Sequence, residues 1–226
     1  VQDIFGLAGS AMPGGWSLLL PLLRHIEFAS MRRADALILI SPDFQDRLRA
    51  VGVRHDRVLI QENWAPVDLL AGSERRNAWS QAHDLNDRPV LLLAGTLGLK
   101  HNPGLVAALA RQLGSTPDAR VVVVSEGPGR AFLETARVQQ GLGNLLLLNY
   151  QPASCVPSML ASADIAIVIL NRGAGAASVP SKLYSYAAAG RPVLAAIPAD
   201  NLAYRLIRQH GLGLVVEPED EAGFLA

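Results

Sequence analysis

Two lysines stand in loops of small residues. Lys100 lies in Gly95-Thr96-Leu97-Gly98-Leu99-Lys100-His101-Asn102-Pro103, and Lys182 in Val179-Pro180-Ser181-Lys182-Leu183. Gly95 and Gly98 let the backbone come close to a ligand. A lysine on its flexible stem is a point charge suited to phosphate. Pro180 has a fixed φ and no N–H, which suits the first turn of a helix, with Ser178 or Ser181 as its cap. Gly190 then closes that helix and Pro192 forbids its continuation. A helix start after a Gly- and Ala-rich loop leaves N–H donors and a positive dipole end for an anion. Lys100 and Lys182 are therefore the catalytic candidates. Together they would stabilise the charge that develops on a departing diphosphate, with Pro180, Ser181 and Leu183 as neighbouring binding residues.

Two more loops follow predicted strands. In Ser125-Glu126-Gly127-Pro128-Gly129-Arg130, Gly127 is placed near a nucleoside and Arg130 is a phosphate-facing or solvent-facing charge. In Leu148-Asn149-Tyr150-Gln151-Pro152, Tyr150 is placed to flank a base. Each loop alone is an ordinary turn, and neither GxxxxGK[ST] nor GxGxxG is present. Four strand ends that each offer Gly, Lys or an aromatic are more informative than any one of them. The 5 histidines are scattered without HExxH or CxxC spacing, so no metal site is expected. Cys155 is the single cysteine. It excludes an internal disulfide framework, reads as a small hydrophobe and agrees with a reducing compartment. Twenty basic side chains balance 20 acidic ones, so there is no electrostatic footprint for nucleic acid.

From residue 89 onward, short continuous apolar runs alternate with helical patterns. Strands are predicted at 90–94, 120–125, 144–148, 165–170, 193–197 and 214–216. Helices are predicted near 103–113, 128–140, 155–161, 181–189 and 201–210. This is an α/β pattern, a Rossmann-like parallel sheet with helices on both faces, which binds ligands at the C-terminal ends of its strands. Before it come a Gly-rich loop (1–15), a helix (18–33), a strand (36–40), a helix capped at Ser41 and ending at Gly52, a strand (57–61) and a turn-rich connector (62–68). A polar segment to residue 88, with a short helix near Trp79, reads as a linker. No apolar run approaches the roughly 20 residues of a membrane span. The greasiest run, 16–23, fits a core helix face better than an interfacial element. The last residues, 219–226, read as a helix cut off in its first turns, and the chain as a fragment.

The lysine-bearing loops, Ser125–Arg130 and Pro180-Ser181-Lys182-Leu183-Tyr184-Ser185-Tyr186-Ala187-Ala188-Ala189-Gly190-Arg191-Pro192-Val193 together resemble the family 4 glycosyltransferases. The resemblance is to the branch that builds bacterial capsule, O-antigen and colanic-acid-like polysaccharides. Ala34-Asp35-Ala36-Leu37-Ile38 with Ser41, and 60–68 around Asn63-Trp64, extend it over about 34–218. The resemblance implies two Rossmann-like domains facing a cleft, the GT-B arrangement. Residues 1–66 would be the end of an incomplete acceptor-side N-terminal domain, 67–88 a linker, and 89–226 the nucleotide-sugar domain, truncated at its C-terminus. It implies transfer with retention and no required metal. The partners it implies are a nucleotide sugar, with UDP-sugar the expected donor and no further cofactor, and a glycan or lipid-linked acceptor. It also implies a cytoplasmic location with peripheral contact at the inner membrane. Lys100 and Ser181–Lys182 would face the diphosphate; Gly127, Asn149, Tyr150 and Gln151 would flank the nucleoside. One departure stands out. Many members carry Glu-x7-Glu, and here Ala177 and Ser185 occupy those two places. The other readings are a nucleotide-sugar 2-epimerase of the same shape and a non-catalytic nucleotide-binding module.

Overall fold

The apolar runs become strands because their Val, Leu, Ile and Ala side chains can be buried on both faces of a parallel sheet. The computed structural model describes residues 3–4, 20–98, 101–116, 118–175 and 177–226. β1 (Leu37–Leu39) and β2 (Val58–Ile60) pair in parallel, with Ile38 opposite Leu59. Then come β3 (Val90–Ala94), β4 (Arg120–Val124), β5 (Leu145–Leu148), β6 (Ile165–Ile169), β7 (Val193–Ala196) and β8 (Gly213–Val216). These six form one parallel sheet in the order β5-β4-β3-β6-β7-β8. The chain winds outward from β3 in one direction, returns, and winds from β6 in the other, so the order reverses between β3 and β6.

The helices are α1 (Leu20–Arg33), α2 (Pro42–Ala50), α3 (Val67–Leu70), α4 (Ala78–Ala82), α5 (Pro103–Gln112), α6 (Pro128–Gln140), α7 (Val156–Ala161), α8 (Arg172–Gly175), α9 (Lys182–Ala188), α10 (Leu202–His210) and α11 (Glu221–Leu225). Several starts are fixed by local chemistry. The Ser41 hydroxyl accepts from Asp43 N–H at 3.2 Å, with Pro42 in the first turn of α2. The Asn201 side chain accepts from Ala203 N–H at 2.9 Å and donates to the carbonyls of Gly175 and Ser178, each at 2.9 Å. That buried amide ties the start of α10 to the loop after β6.

Alternate strand residues face opposite layers, as the two-residue period requires. Leu91, Leu93, Val121, Val123, Ile167 and Ile169 enter one apolar cluster. Val90, Leu92, Val122, Val124, Ala166 and Val168 enter the other, which also contains Phe28, Met31, Leu37, Leu39, Phe44 and Leu48. The β1-α2-β2 unit therefore shares a core with one face of the large sheet. Ion pairs Arg47–Asp200 (2.9 Å) and Arg205–Asp43 (2.6 Å) cross the same junction. In α1, Phe28 and Met31 are buried whereas Leu22, Leu23 and Ile26 are exposed. The greasy run's first residues, 16–19, lie outside the described residues. Among the described residues no helix is long and apolar enough to cross a membrane.

Two local expectations change. The polar stretch 67–88 is packed down. Leu70, Trp79 and Leu85 are buried, and the short helix α3 was not anticipated. Arg75 grips both carboxylate oxygens of Asp164 at 2.9 and 3.0 Å and donates to the carbonyls of Leu85 and Arg88. The charges that gave the stretch its linker-like composition hold it against the sheet. The second change is at α9, which starts at Lys182 with Pro180 outside its first turn. Ser181 is already in a helical conformation and makes no side-chain cap. The Ser178 hydroxyl donates instead to Ala174 O at 3.2 Å.

Candidate functional site

The site is built at the seam between β3 and β6. Their paired residues are Leu91 with Ile165 and Leu92 with Ala166, whereas β3 stays in register with β4 as far as Ala94 opposite Val124. The seam opens toward the C-terminal end, and the backbone groups of Ala94 need another partner there. The Tyr186 hydroxyl supplies it. It accepts from Ala94 N–H at 2.9 Å and donates to Ala94 O at 3.1 Å. Burial pushes this phenol well above its ordinary range, so it keeps its proton. At the other end of the seam Val90 N–H donates to the Asp164 carboxylate at 2.7 Å, and Asp164 N–H to Val90 O at 2.9 Å. Burial works to raise the Asp164 pKa, but the Arg75 guanidinium and the Val90 amide hold it below the ordinary value.

Two hollows meet where the seam opens. The larger, about 600 Å³, is walled by Asp3, Trp64, Gly95, Thr96, His101, Ile169, Leu170, Pro180, Ser185 and the run Ser178–Lys182. The smaller, about 230 Å³, is more apolar. It is walled by Val124, Tyr150, Gln151, Val156, Met159, Leu160 and Tyr186, with Ala94 beside them. Gly95, Lys182 and Ser185 line both. Gly95 has φ +108°, a conformation that favours glycine, and the end of Lys182 lies over it. Lys182 Nζ donates to Thr96 O at 3.3 Å, and among the described residues no carboxylate pairs with it. Burial pushes its ammonium down to about 8. A partly covered cation with one long hydrogen bond, facing two cavities, has the chemistry to pair with an anion.

The walls are braced from behind. His101 N–H donates to Gly98 O, and its Nδ1 accepts from Gly98 N–H, both at 2.9 Å. This puts the ring proton of the neutral form on Nε2. Gly129 N–H donates to Leu97 O at 3.0 Å, and a Cβ on Gly129 would lie 2.1 Å from that oxygen. The Gly-Pro-Gly turn is therefore a buttress for the 95–98 loop. Gln151 Oε1 accepts from Trp79 Nε1 at 3.1 Å, and its Nε2 donates to Asn149 O at 2.9 Å. Its amide is occupied in fixing the turn that presents Tyr150, which is 48 % exposed.

Of the residues expected from the sequence, Gly95, Pro180, Ser181 and Lys182 line the larger cavity, and Tyr150 and Gln151 the smaller. Lys100 lies outside the described residues. Gly98 supports His101 from beneath. Gly127, exposed at the N-cap of α6 with φ +91°, lines neither hollow. Asn149 offers its carbonyl to Gln151 and lines neither. Leu183 is 1 % exposed and belongs to the core. Arg130 pairs with Glu134 at 3.7 Å. Sequence reasoning missed Asp3, Trp64, His101 and Ser185 as wall residues. His101 and Ser185 lie inside the motifs already singled out; Trp64 and Asp3 have no local signal that links them to residues 178–185.

Residues 75–225 match the model of the family described as glycosyl transferases group 1. The chain is 26 % identical over 225 residues to WcaI of Escherichia coli K12, whose name places it among the glycosyl transferases of colanic acid biosynthesis. That alignment covers 98 % of this chain and 54 % of WcaI. Anabaena Alr3699/HepE, solved in complex with UDP-glucose, superposes with a TM-score of 0.74 at 16 % identity over 100 % of this chain and 59 % of that one. Sucrose-phosphate synthase from Thermosynechococcus elongatus gives 0.72 at 16 % identity, over 98 % of this chain and 55 % of that one. At these identities the structural likeness is one of fold. The chain spans about half the length of the relatives it matches.

Proposed function

Since this chain belongs to the group 1 glycosyl transferases, we propose that its two joined hollows hold the donor of a sugar-transfer reaction, a UDP-sugar. The base and ribose occupy the smaller hollow, against Tyr150 and Gln151. The diphosphate lies at Lys182, and the sugar extends into the larger cavity. The observation that carries this reading is Lys182, a cation with no counter-ion among the described residues, at the junction of an apolar and a polar hollow. In the transfer, the bond between the sugar C1 and the β-phosphate oxygen breaks. The diphosphate leaves with the electron pair, a hydroxyl oxygen of the acceptor bonds to C1 with retention, and the hydroxyl's proton passes to the departing diphosphate. Lys182 acts by neutralising the charge that grows on the leaving group, with Lys100 as the second cation on the 95–103 loop. α9 has 7 residues, so its dipole is a minor contributor beside the Lys182 charge.

In this reading residues 1–66 belong to the acceptor-side domain, 67–88 join it to the donor domain, and 89–226 form the donor domain. The likeness to WcaI supports a glycan or lipid-linked acceptor in surface polysaccharide assembly, with the protein working in the cytoplasm against the inner membrane face. Calorimetric titration of the full-length protein with UDP and UDP-glucose tests the proposal. Saturable binding of both is expected, weakened by about tenfold or more in Lys182→Ala, as for loss of a charge-assisted contact. Failure to bind any nucleoside diphosphate overturns it.

A further inference from the structure

Asp3 and Trp64 reach the larger cavity from distant parts of the chain. Ile4 is completely buried, and its N–H donates to Ala177 O at 3.0 Å, while Asp3 bridges to Ser178. This anchor holds Asp3 at the cavity wall, and no described residue hydrogen-bonds or ion-pairs with its carboxylate. It is also the one carboxylate among the described wall residues; the other polar side chains there are hydroxyls, His101 and Lys182. Trp64 lies in the connector after β2. It lines the same cavity, and the residue is 75 % exposed. An indole at the edge of a polar cavity offers a flat apolar face on which a ring can stack.

A pyranose ring has one apolar face of axial C–H groups and a rim of hydroxyl donors. Its natural receptor is an aromatic plane beside a carboxylate, which is acceptor-only and takes two hydroxyls at once. We propose that Asp3 and Trp64 form a pyranose subsite, with Trp64 stacking on the ring and Asp3 accepting from its hydroxyls. The subsite rests on the donor reading above, since Lys182 in the same cavity places the diphosphate next to it. The pyranose is either the donor's transferred sugar or a sugar of the acceptor.

The test uses the full-length protein with Asp3→Asn, Trp64→Ala and Trp64→Phe. UDP and UDP-glucose are titrated calorimetrically, UDP-glucose hydrolysis is followed, and methyl β-D-glucopyranoside is observed by saturation-transfer NMR with UDP present. Melting temperatures of all three variants are compared with wild type first, so that a loss of folding is separated from a loss of sugar binding. UDP affinity should stay within about twofold in all three. If the subsite holds the donor sugar, Asp3→Asn and Trp64→Ala lose at least tenfold in UDP-glucose affinity relative to UDP, and in hydrolysis. If it holds an acceptor sugar, those values stay and the glucoside signal disappears. Trp64→Phe, which keeps an aromatic face, should restore most of either loss. Unchanged sugar readouts in Asp3→Asn and Trp64→Ala overturn the subsite, as does an equal loss of UDP and UDP-glucose affinity. A wild-type protein that binds no UDP removes the donor reading and the subsite with it; one that binds UDP normally while the variants change nothing removes the subsite alone.

Discussion

At the scale of single residues, Lys182 carries the proposed diphosphate contact and a cost of burial. Burial moves its ammonium from 10.5 to about 8. The unfolded chain keeps this proton between those values while the folded chain gives it up. The destabilisation from burying the charge is therefore complete below about pH 8, shrinks as pH rises toward 10.5, and is absent beyond it. A diphosphate needs the charged form. UDP affinity should accordingly decline as pH rises through about 8, and binding near pH 9 should take up a proton, read by calorimetry in buffers of different ionisation enthalpy. Lys182→Met should abolish that uptake, weaken UDP binding, and raise the melting temperature of the unliganded protein at pH 7. A pH slope that persists in Lys182→Met would assign the proton to another group.

At the scale of elements, the opened seam between β3 and β6 makes room for the two hollows and leaves backbone groups to be satisfied by side chains. Tyr186 does so at the cavity end, Asp164 at the other. Tyr186→Phe keeps the ring and its packing but strands the Ala94 N–H and C=O. The loss should be about 1–3 kcal/mol, seen as a lower urea midpoint, with weaker UDP binding because Ala94 carries the Gly95 turn. An unchanged midpoint would mean that Ala94 finds another partner without help from α9. Gly129 is fitted to its place for a related reason: the 95–98 loop lies so close to the start of α6 that no side chain fits between them.

For the molecule as a whole, the relation between the two sheets matters most. A two-stranded sheet is marginal by itself, and β1–β2 is held by α2 and by the apolar cluster it shares with the large sheet. The ion pairs Arg47–Asp200 and Arg205–Asp43 are partly exposed and worth about 0–1 kcal/mol each. The apolar contact, not the ion pairs, should couple the two units. Differential scanning calorimetry of the 226-residue chain should show one cooperative transition that moves little with added salt. Two resolved transitions would show that the shared cluster does not link them.

The strands were readable because a strand covered on both faces must be apolar throughout, so β3, β4 and β6 appear as uninterrupted runs such as Val121–Val124. Helix ends were readable because Pro, Gly and Asn act on their own neighbours, as at Ser41-Pro42 and Asn201. The rule that ligands meet parallel strands at their C-terminal ends directed attention to the loops of Gly95, Lys182, Tyr150 and Gln151, which line the two hollows. Other features depend on contacts between residues far apart in the chain, which no local pattern encodes. Asp164 turned the polar stretch around Arg75 into packed structure. Leu183, adjacent to Lys182, turned into the core because a helix sends successive side chains in different directions. Asp3 reached Ser178, and Trp64 reached the wall opened by the β3–β6 seam, only through folding. Residue types and their local order determined which elements form and which loops carry charge; tertiary packing decided which of those loops share a cavity and how far burial lowers the Lys182 pKa, because both depend on what the folded chain brings near and keeps from water.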